Sequence, residues 1–189
     1  MNDSANILEA AEQMCLILKQ HRVDALVIGG VALAAHKYIR QTDDMDLGVN
    51  ADIPTLYAVS ESLKEAGFSV ELREPDASDP LGGVLDVRGP FGLVQIVNFG
   101  NRFPAVIEDA LHESTLYIHS GSLLKIAPIP HLVALKLYAG GFKSKADIVE
   151  LLSRNPEANR EKIRNLCRKY RLKGVDEVLA DDAYRPESP

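Results

Sequence analysis

An apolar run, Ala25-Leu26-Val27-Ile28, leads straight into Gly29-Gly30, and farther on Asp44 and Asp46 flank a single methionine. This order constrains the fold more than any other feature of the chain. A short apolar run that stops at glycines reads as a buried strand. The alanine-rich stretch 31–39 reads as a helix that approaches the sheet closely. A second strand beginning near Asp44 would, by its two-residue period, place Asp44 and Asp46 on one face and Met45, Leu47 and Val49 on the other. One face of that strand is acidic and the other is core.

Two carboxylates held side by side repel each other, so the arrangement persists where a cation such as Mg²⁺ or Mn²⁺ neutralises them. Gly29 and Gly30 complement the pair. Lacking Cβ atoms, they let a phosphate approach the backbone, and a helix starting near Val31 offers free N–H groups and the positive end of its dipole. Phosphate donors beside a carboxylate-held metal are the components of phosphoryl or nucleotidyl transfer. The plainer alternative is a loop of exposed acids after a helix, because charged residues are common and paired acids arise on solvated strands.

Gly29-Gly30, the intervening segment and Asp44-Met45-Asp46 together resemble the signature of the DNA polymerase β-like nucleotidyltransferase superfamily. The added spacing of Arg40, Thr42, Asp44 and Asp46 resembles a bacterial subgroup that contains abortive-infection-type toxin nucleotidyltransferases. The resemblance covers about residues 22–152. It implies an α/β (α+β) nucleotidyltransferase fold, a small mixed sheet flanked by helices with a C-terminal helical extension. It also implies transfer of a nucleoside monophosphate from a nucleoside triphosphate to an acceptor hydroxyl, with Mg²⁺ or Mn²⁺ on Asp44 and Asp46. Gly29 and Gly30 would cradle phosphates, and Arg40 and Thr42 would support the loop or touch phosphate.

Beyond the acidic strand, Asp52 and Pro54 start a helix that stops at Gly67, and 68–72 reads as a strand. The loop 73–83, rich in Pro, Asp and Gly, is long enough to be mobile or to face substrate. Strands 84–88 and 93–99 then flank the hairpin turn Gly89-Pro90-Phe91-Gly92. A four-residue turn sets Arg88 against Leu93, Val87 against Val94 and Asp86 against Gln95. In the resembling family a third metal-binding acid lies on the second of these strands, where this chain has Gln95. Asp86, directly opposite, is therefore the candidate third carboxylate, and a surface acid is the alternative.

A helix at 102–112 and short strands at 116–119 and 123–127 follow. The next helix, opened by Pro128 and Pro130, stops at Gly140-Gly141. Lys136 in that helix corresponds, by the resemblance, to a lysine that reaches the nucleotide phosphates. Asp147, near the start of the following helix, matches half of a basic-acid motif of the family, and dipole and capping effects alone are the alternative explanation. Helices at about 158–170 and 175–180 carry many cations, a surface that could meet RNA or an acidic partner protein. The expected division is a core with its N-terminal helix at 1–127, C-terminal helices packed on it at 128–181, and a flexible tail at 182–189.

The formal net charge of −6 argues against a broad non-specific grip on nucleic acid. Cys15 and Cys167 have no metal-ligand spacing and suit a reducing compartment. With no leader pattern and no apolar run of membrane-spanning length, the expectation is a cytoplasmic protein without a membrane partner. Two rival functions stay open. One is a catalytically silent member of the fold that binds nucleotide or a partner, suggested by Gln95; the other is a toxin, paired with an antitoxin, that modifies tRNA or protein.

Overall fold

The structure is a computed structural model that describes residues 3–75 and 80–183. Six strands form one sheet in the order β3-β4-β5-β2-β1-β6. They are β1 (Ala25–Ile28), β2 (Asp44–Val49), β3 (Ser69–Arg73), β4 (Val84–Gly89), β5 (Gly92–Asn98) and β6 (Lys125–Ile126). The sheet is mixed: β2 runs parallel to β5 and β6 parallel to β1, and the other neighbours are antiparallel. Eight helices flank it among the described residues: α1 (Asp3–Gln20), α2 (Gly29–Ala35), α3 (Ile53–Glu65), α4 (Pro104–Glu113), α5 (Ile129–Ala139), α6 (Gly141–Ser153), α7 (Arg160–Lys169) and α8 (Val175–Ala183).

Alternation builds the core. Met45, Leu47 and Val49 on β2 are fully buried, as are Val94 and Ile96 on β5 and Leu85 and Val87 on β4. Helices α1 and α3 pack together, α1 against β5 and α3 against β3, while α4 packs on β1 and β2. Helix α5 meets α2, α4, α6 and α7 and so joins the C-terminal helices to the sheet.

Local chemistry sets most element ends as expected. Asp52 accepts the Thr55 N–H at 2.8 Å and caps α3, with Pro54 in its first turn and Gly67 left-handed (φ +92°) after it. Helix α2 differs from the expected 31–39. It begins at Gly29 itself and ends at Ala35, because Lys37 turns left-handed (φ +66°) and the Tyr38 N–H returns to the Leu33 carbonyl at 3.0 Å. That is a Schellman closure without glycine. The expected strand at 116–119 reduces to one bridge between Tyr117 and Lys125. Helix α8 takes in residues 182 and 183 of the expected tail, and 184–189 lie outside the described residues, as do 76–79 of the 73–83 loop.

The segment after α2 is pinned from the C-terminal helices. Asn155 Nδ2 donates to the His36 carbonyl at 2.7 Å, and the Tyr38 hydroxyl donates to Asp147 on α6 at 3.2 Å. His36 itself bonds the Ala127 carbonyl at 2.8 Å, a packing role at the end of β6. This pinned segment delivers Arg40 and Thr42 to the start of β2.

Candidate active site

Asp44 and Asp46 share one face of β2, at the strand's N-terminal end, both partly buried. Ile28, the last residue of β1, pairs with Asp46, so the glycine turn that follows it lies against the acid pair. The fit is tight: a Cβ built on Gly29 would lie 1.8 Å from Asp46 Oδ2, and Gly29 also has φ +63°. A Cβ on Gly30 would lie 2.8 Å from Thr42 Cβ. Thus both glycines are required where the turn meets the next strand. The Thr42 hydroxyl donates to Asp44 Oδ1 in a short bond, fixing one carboxylate. Burial, and then the charge of Asp44, push the Asp46 carboxyl up to about 6, with Lys136 and Arg40 pulling the other way.

Asp147, 3% exposed, organises the cations behind this pair. Lys136 Nζ donates to its Oδ2 at 2.6 Å, and Arg40 Nε stands 3.7 Å from its Oδ1. Arg40 Nε is buried and makes no hydrogen bond. Lys136 and Asp147, both proposed as site residues, are therefore brought together, and Lys136 acts on Asp46 from an anchored position. In front of the acids opens a cleft of about 690 Å³ lined by Arg40, Thr42, Asp44, Asp46, Arg88 and Lys143, together with Gly89 and Gly92 of the hairpin.

Asp86 and Gln95 sit where the hairpin register predicted. One rung of the sheet runs Ile28, Asp46, Gln95, Asp86, Glu71. Asp86, however, is not gathered with Asp44 and Asp46. It lies two strand spacings from Asp46, roughly 10 Å, and its carboxylate is occupied. Arg73 donates to it from Nε at 3.0 Å and Nη2 at 3.1 Å, and Gln95 Nε2 donates at 2.6 Å. Burial would raise the Asp86 carboxyl, but these bonds and the Arg73 charge outweigh it and hold the group below the usual carboxylate range. No three His, Cys, Asp or Glu side chains converge as a metal-binding group among the described residues.

No family model matches the sequence, and no curated protein matches it. Solved structures do match over nearly the whole chain. The antibiotic-resistance factor ANT(2'')-Ia aligns with 96% of this chain and 97% of its own at 16% identity and a TM-score of 0.56. The same factor in complex with adenylyl-2''-tobramycin aligns with 87% of this chain and 96% of its own, at 13% identity and 0.55. An antigenic nucleotidyltransferase-like protein from Paracoccidioides brasiliensis covers 95% and 93%, at 18% identity and 0.52. This chain has the nucleotidyltransferase fold. In the Megavirus polyadenylate synthase the match spans 82% of this chain but 32% of that protein, at 14% identity and 0.52.

Two cations not expected at the site from the sequence, Arg88 and Lys143, also line the cleft. Arg88 carried a usable signal. It follows Asp86 by two residues, and its rung continues through Leu93 to Asp44. Lys143 lies in the first turn of α6 and lines the cleft from there. The cationic surface expected on the C-terminal helices is largely spent internally. Lys162 pairs with Glu113 at 2.7 Å, Lys169 with Asp109 at 2.6 Å, and Arg164 with Asp176 at 2.8 Å. Arg160 donates to the carbonyls of Leu152, Asn155 and Ala158. No helix among the described residues is long and apolar enough to cross a membrane.

Proposed function

We propose that this chain transfers a nucleoside monophosphate from a nucleoside triphosphate to an acceptor hydroxyl, using a divalent cation held by Asp44 and Asp46. The observation that carries the reading is the carboxylate pair on one face of β2, with Asp46 pressed against the Gly29 turn, where a Cβ would collide with its Oδ2. The donor set fits a cation, because Asp44 already pushes the Asp46 carboxyl up and a positive charge between them relieves that repulsion. Bound Mg²⁺ or Mn²⁺ would neutralise phosphate charge and acidify the acceptor hydroxyl.

The chain's own groups perform the rest. Gly29 and Gly30 leave the room in which Asp46 and Thr42 close against the turn, and Arg40, Arg88 and Lys143 bring positive charge into the cleft. Thr42 fixes the Asp44 carboxylate, and Lys136, anchored on Asp147, offsets the charge of Asp46. In the transfer, the acceptor oxygen bonds to the α-phosphorus as the bond to pyrophosphate breaks, and the hydroxyl proton leaves to solvent.

A small cationic acceptor suits the molecule better than RNA. The chain carries a net charge of −6 and most of the cations on α7 are paired, so long-range attraction favours positive ligands. The match to ANT(2'')-Ia, whose complex holds adenylyl-2''-tobramycin, makes aminoglycoside hydroxyls the first class to test. The assay follows label from α-³²P-labelled triphosphates with Mg²⁺, offering tobramycin, an RNA 3′ end or no acceptor. Labelled product and pyrophosphate from the wild type, lost in Asp46→Asn, are expected; product from Asp46→Asn at the wild-type rate would refute the reading. A second reading, a silent nucleotide binder, draws support from the absence of a three-acid group among the described residues. Binding of Mg²⁺·triphosphate without turnover of any acceptor would select it. Growth arrest on expression, relieved by Asp46→Ala, would instead point to a toxin acting on tRNA or protein under an antitoxin.

A further inference from the structure

The residue beside Asp46 on its own rung, on the strand away from the glycine turn, is Gln95. A ligand to a second cation next to Asp46 would come from this position, roughly 5 Å away across the sheet. The surroundings of Gln95 fix its chemistry. Asp86 is 7% exposed, its carboxylate is ionised by Arg73, and an ionised carboxylate only accepts hydrogen bonds. The amide of Gln95 must therefore turn its nitrogen to Asp86, as the 2.6 Å contact shows, which leaves this position a neutral carbonyl oxygen and no carboxylate. Arg73 reaches Asp86 from the edge strand β3, so the orientation is set by three successive strands.

We propose that the Arg73-Asp86-Gln95 cluster holds the third corner of the site electrically neutral, so that this chain binds one divalent cation through Asp44 and Asp46 and none through β5. Arg73 and Asp86 are then positioning residues that act through Gln95. The negative charge that would make the corner a metal ligand is present in the fold but sits one strand too far out and is cancelled by Arg73. This inference rests on the carboxylate pair being a cation site, as proposed above.

An exchange of the two side chains tests it. Asp86→Asn with Gln95→Glu keeps both sizes and reverses the hydrogen bond: the amide nitrogen introduced on β4 would donate to the new carboxylate on β5, and the amide oxygen beside it would still accept from Arg73. Mn²⁺ bound per chain is counted by electron paramagnetic resonance at saturating non-hydrolysable ATP analogue, against an analogue-only control, with circular dichroism to confirm folding. One Mn²⁺ in the wild type and two in the exchanged variant are expected. Gln95→Glu alone serves if the exchanged variant does not fold; it too is expected to take a second Mn²⁺, more weakly, because its carboxylate faces that of Asp86. Two Mn²⁺ in the wild type would overturn the inference while sparing the acid pair, and so would one in the wild type and in every folded variant that carries Gln95→Glu. No Mn²⁺ in the wild type would remove the proposed function and this inference with it.

Discussion

Replacing Gly29 by alanine isolates the contact on which the site depends. Two costs add at this position. An L-residue at φ +63° costs about 1–2 kcal/mol, and the new methyl would stand 1.8 Å from Asp46 Oδ2, so the carboxylate must swing away. The carboxylate end of Asp46 is the movable partner, so most of the clash converts into displacement of Asp46. The stability loss is then about 1–3 kcal/mol. For a chain of this size that lowers Tm by roughly 2–12 °C. The effect on cation binding is larger in kind, because one of the two ligands has left its place. Urea unfolding gives the first quantity and Mn²⁺ titration the second. Gly29→Ala is expected to fold, to lose about 1–3 kcal/mol, and to bind Mn²⁺ at least tenfold more weakly. Unchanged Mn²⁺ affinity in the folded variant would show that Gly29 is not needed to seat Asp46.

Three further outcomes follow from buried groups. Asp147→Ala strands Lys136 and Arg40 beside Asp46 and is expected to cost about 3–5 kcal/mol in urea unfolding; adding Lys136→Met should recover part of that loss, and strict additivity would contradict the paired account. His131 is fully buried with neither ring nitrogen hydrogen-bonded, so His131→Leu is expected to stabilise by about 1–3 kcal/mol. Burial, opposed by Glu113 and Asp109 on α4 and joined by Lys162 and Lys169 on α7, holds the His131 pKa below its ordinary 6.5. The unfolded chain therefore binds the proton more readily, and the contribution of His131 to stability falls as pH drops below about 6.5. Unfolding curves at pH 5 and pH 8 should show the gain from His131→Leu to be larger at pH 5, and an equal gain at both would contradict the sign.

What the sequence made legible was whatever depended on neighbours along the chain. The two-residue period placed Asp44 and Asp46 together, and the Gly89-Gly92 turn set Asp86 opposite Gln95, as the sheet has them. The fate of Asp86 was beyond that logic, because Arg73 arrives from β3, whose pairing with β4 follows the 73–83 loop and no turn signal. The same holds for Asp147, whose three partners lie on α5 and the segment after α2. Helix α2 ended early at Lys37, a left-handed lysine that no composition rule marks as a stop. The cations of α7 were visible, but their acidic partners on α4 and α8 become neighbours only in the folded chain.

Asp44 and Asp46 are proposed to seat a metal-bound triphosphate jointly. Isothermal titration of Mg²⁺ with a non-hydrolysable ATP analogue into the wild type, Asp44→Asn and Asp46→Asn measures it without any acceptor. Saturable binding by the wild type, weakened at least tenfold in each variant, is expected. Equal affinity in all three proteins would contradict it.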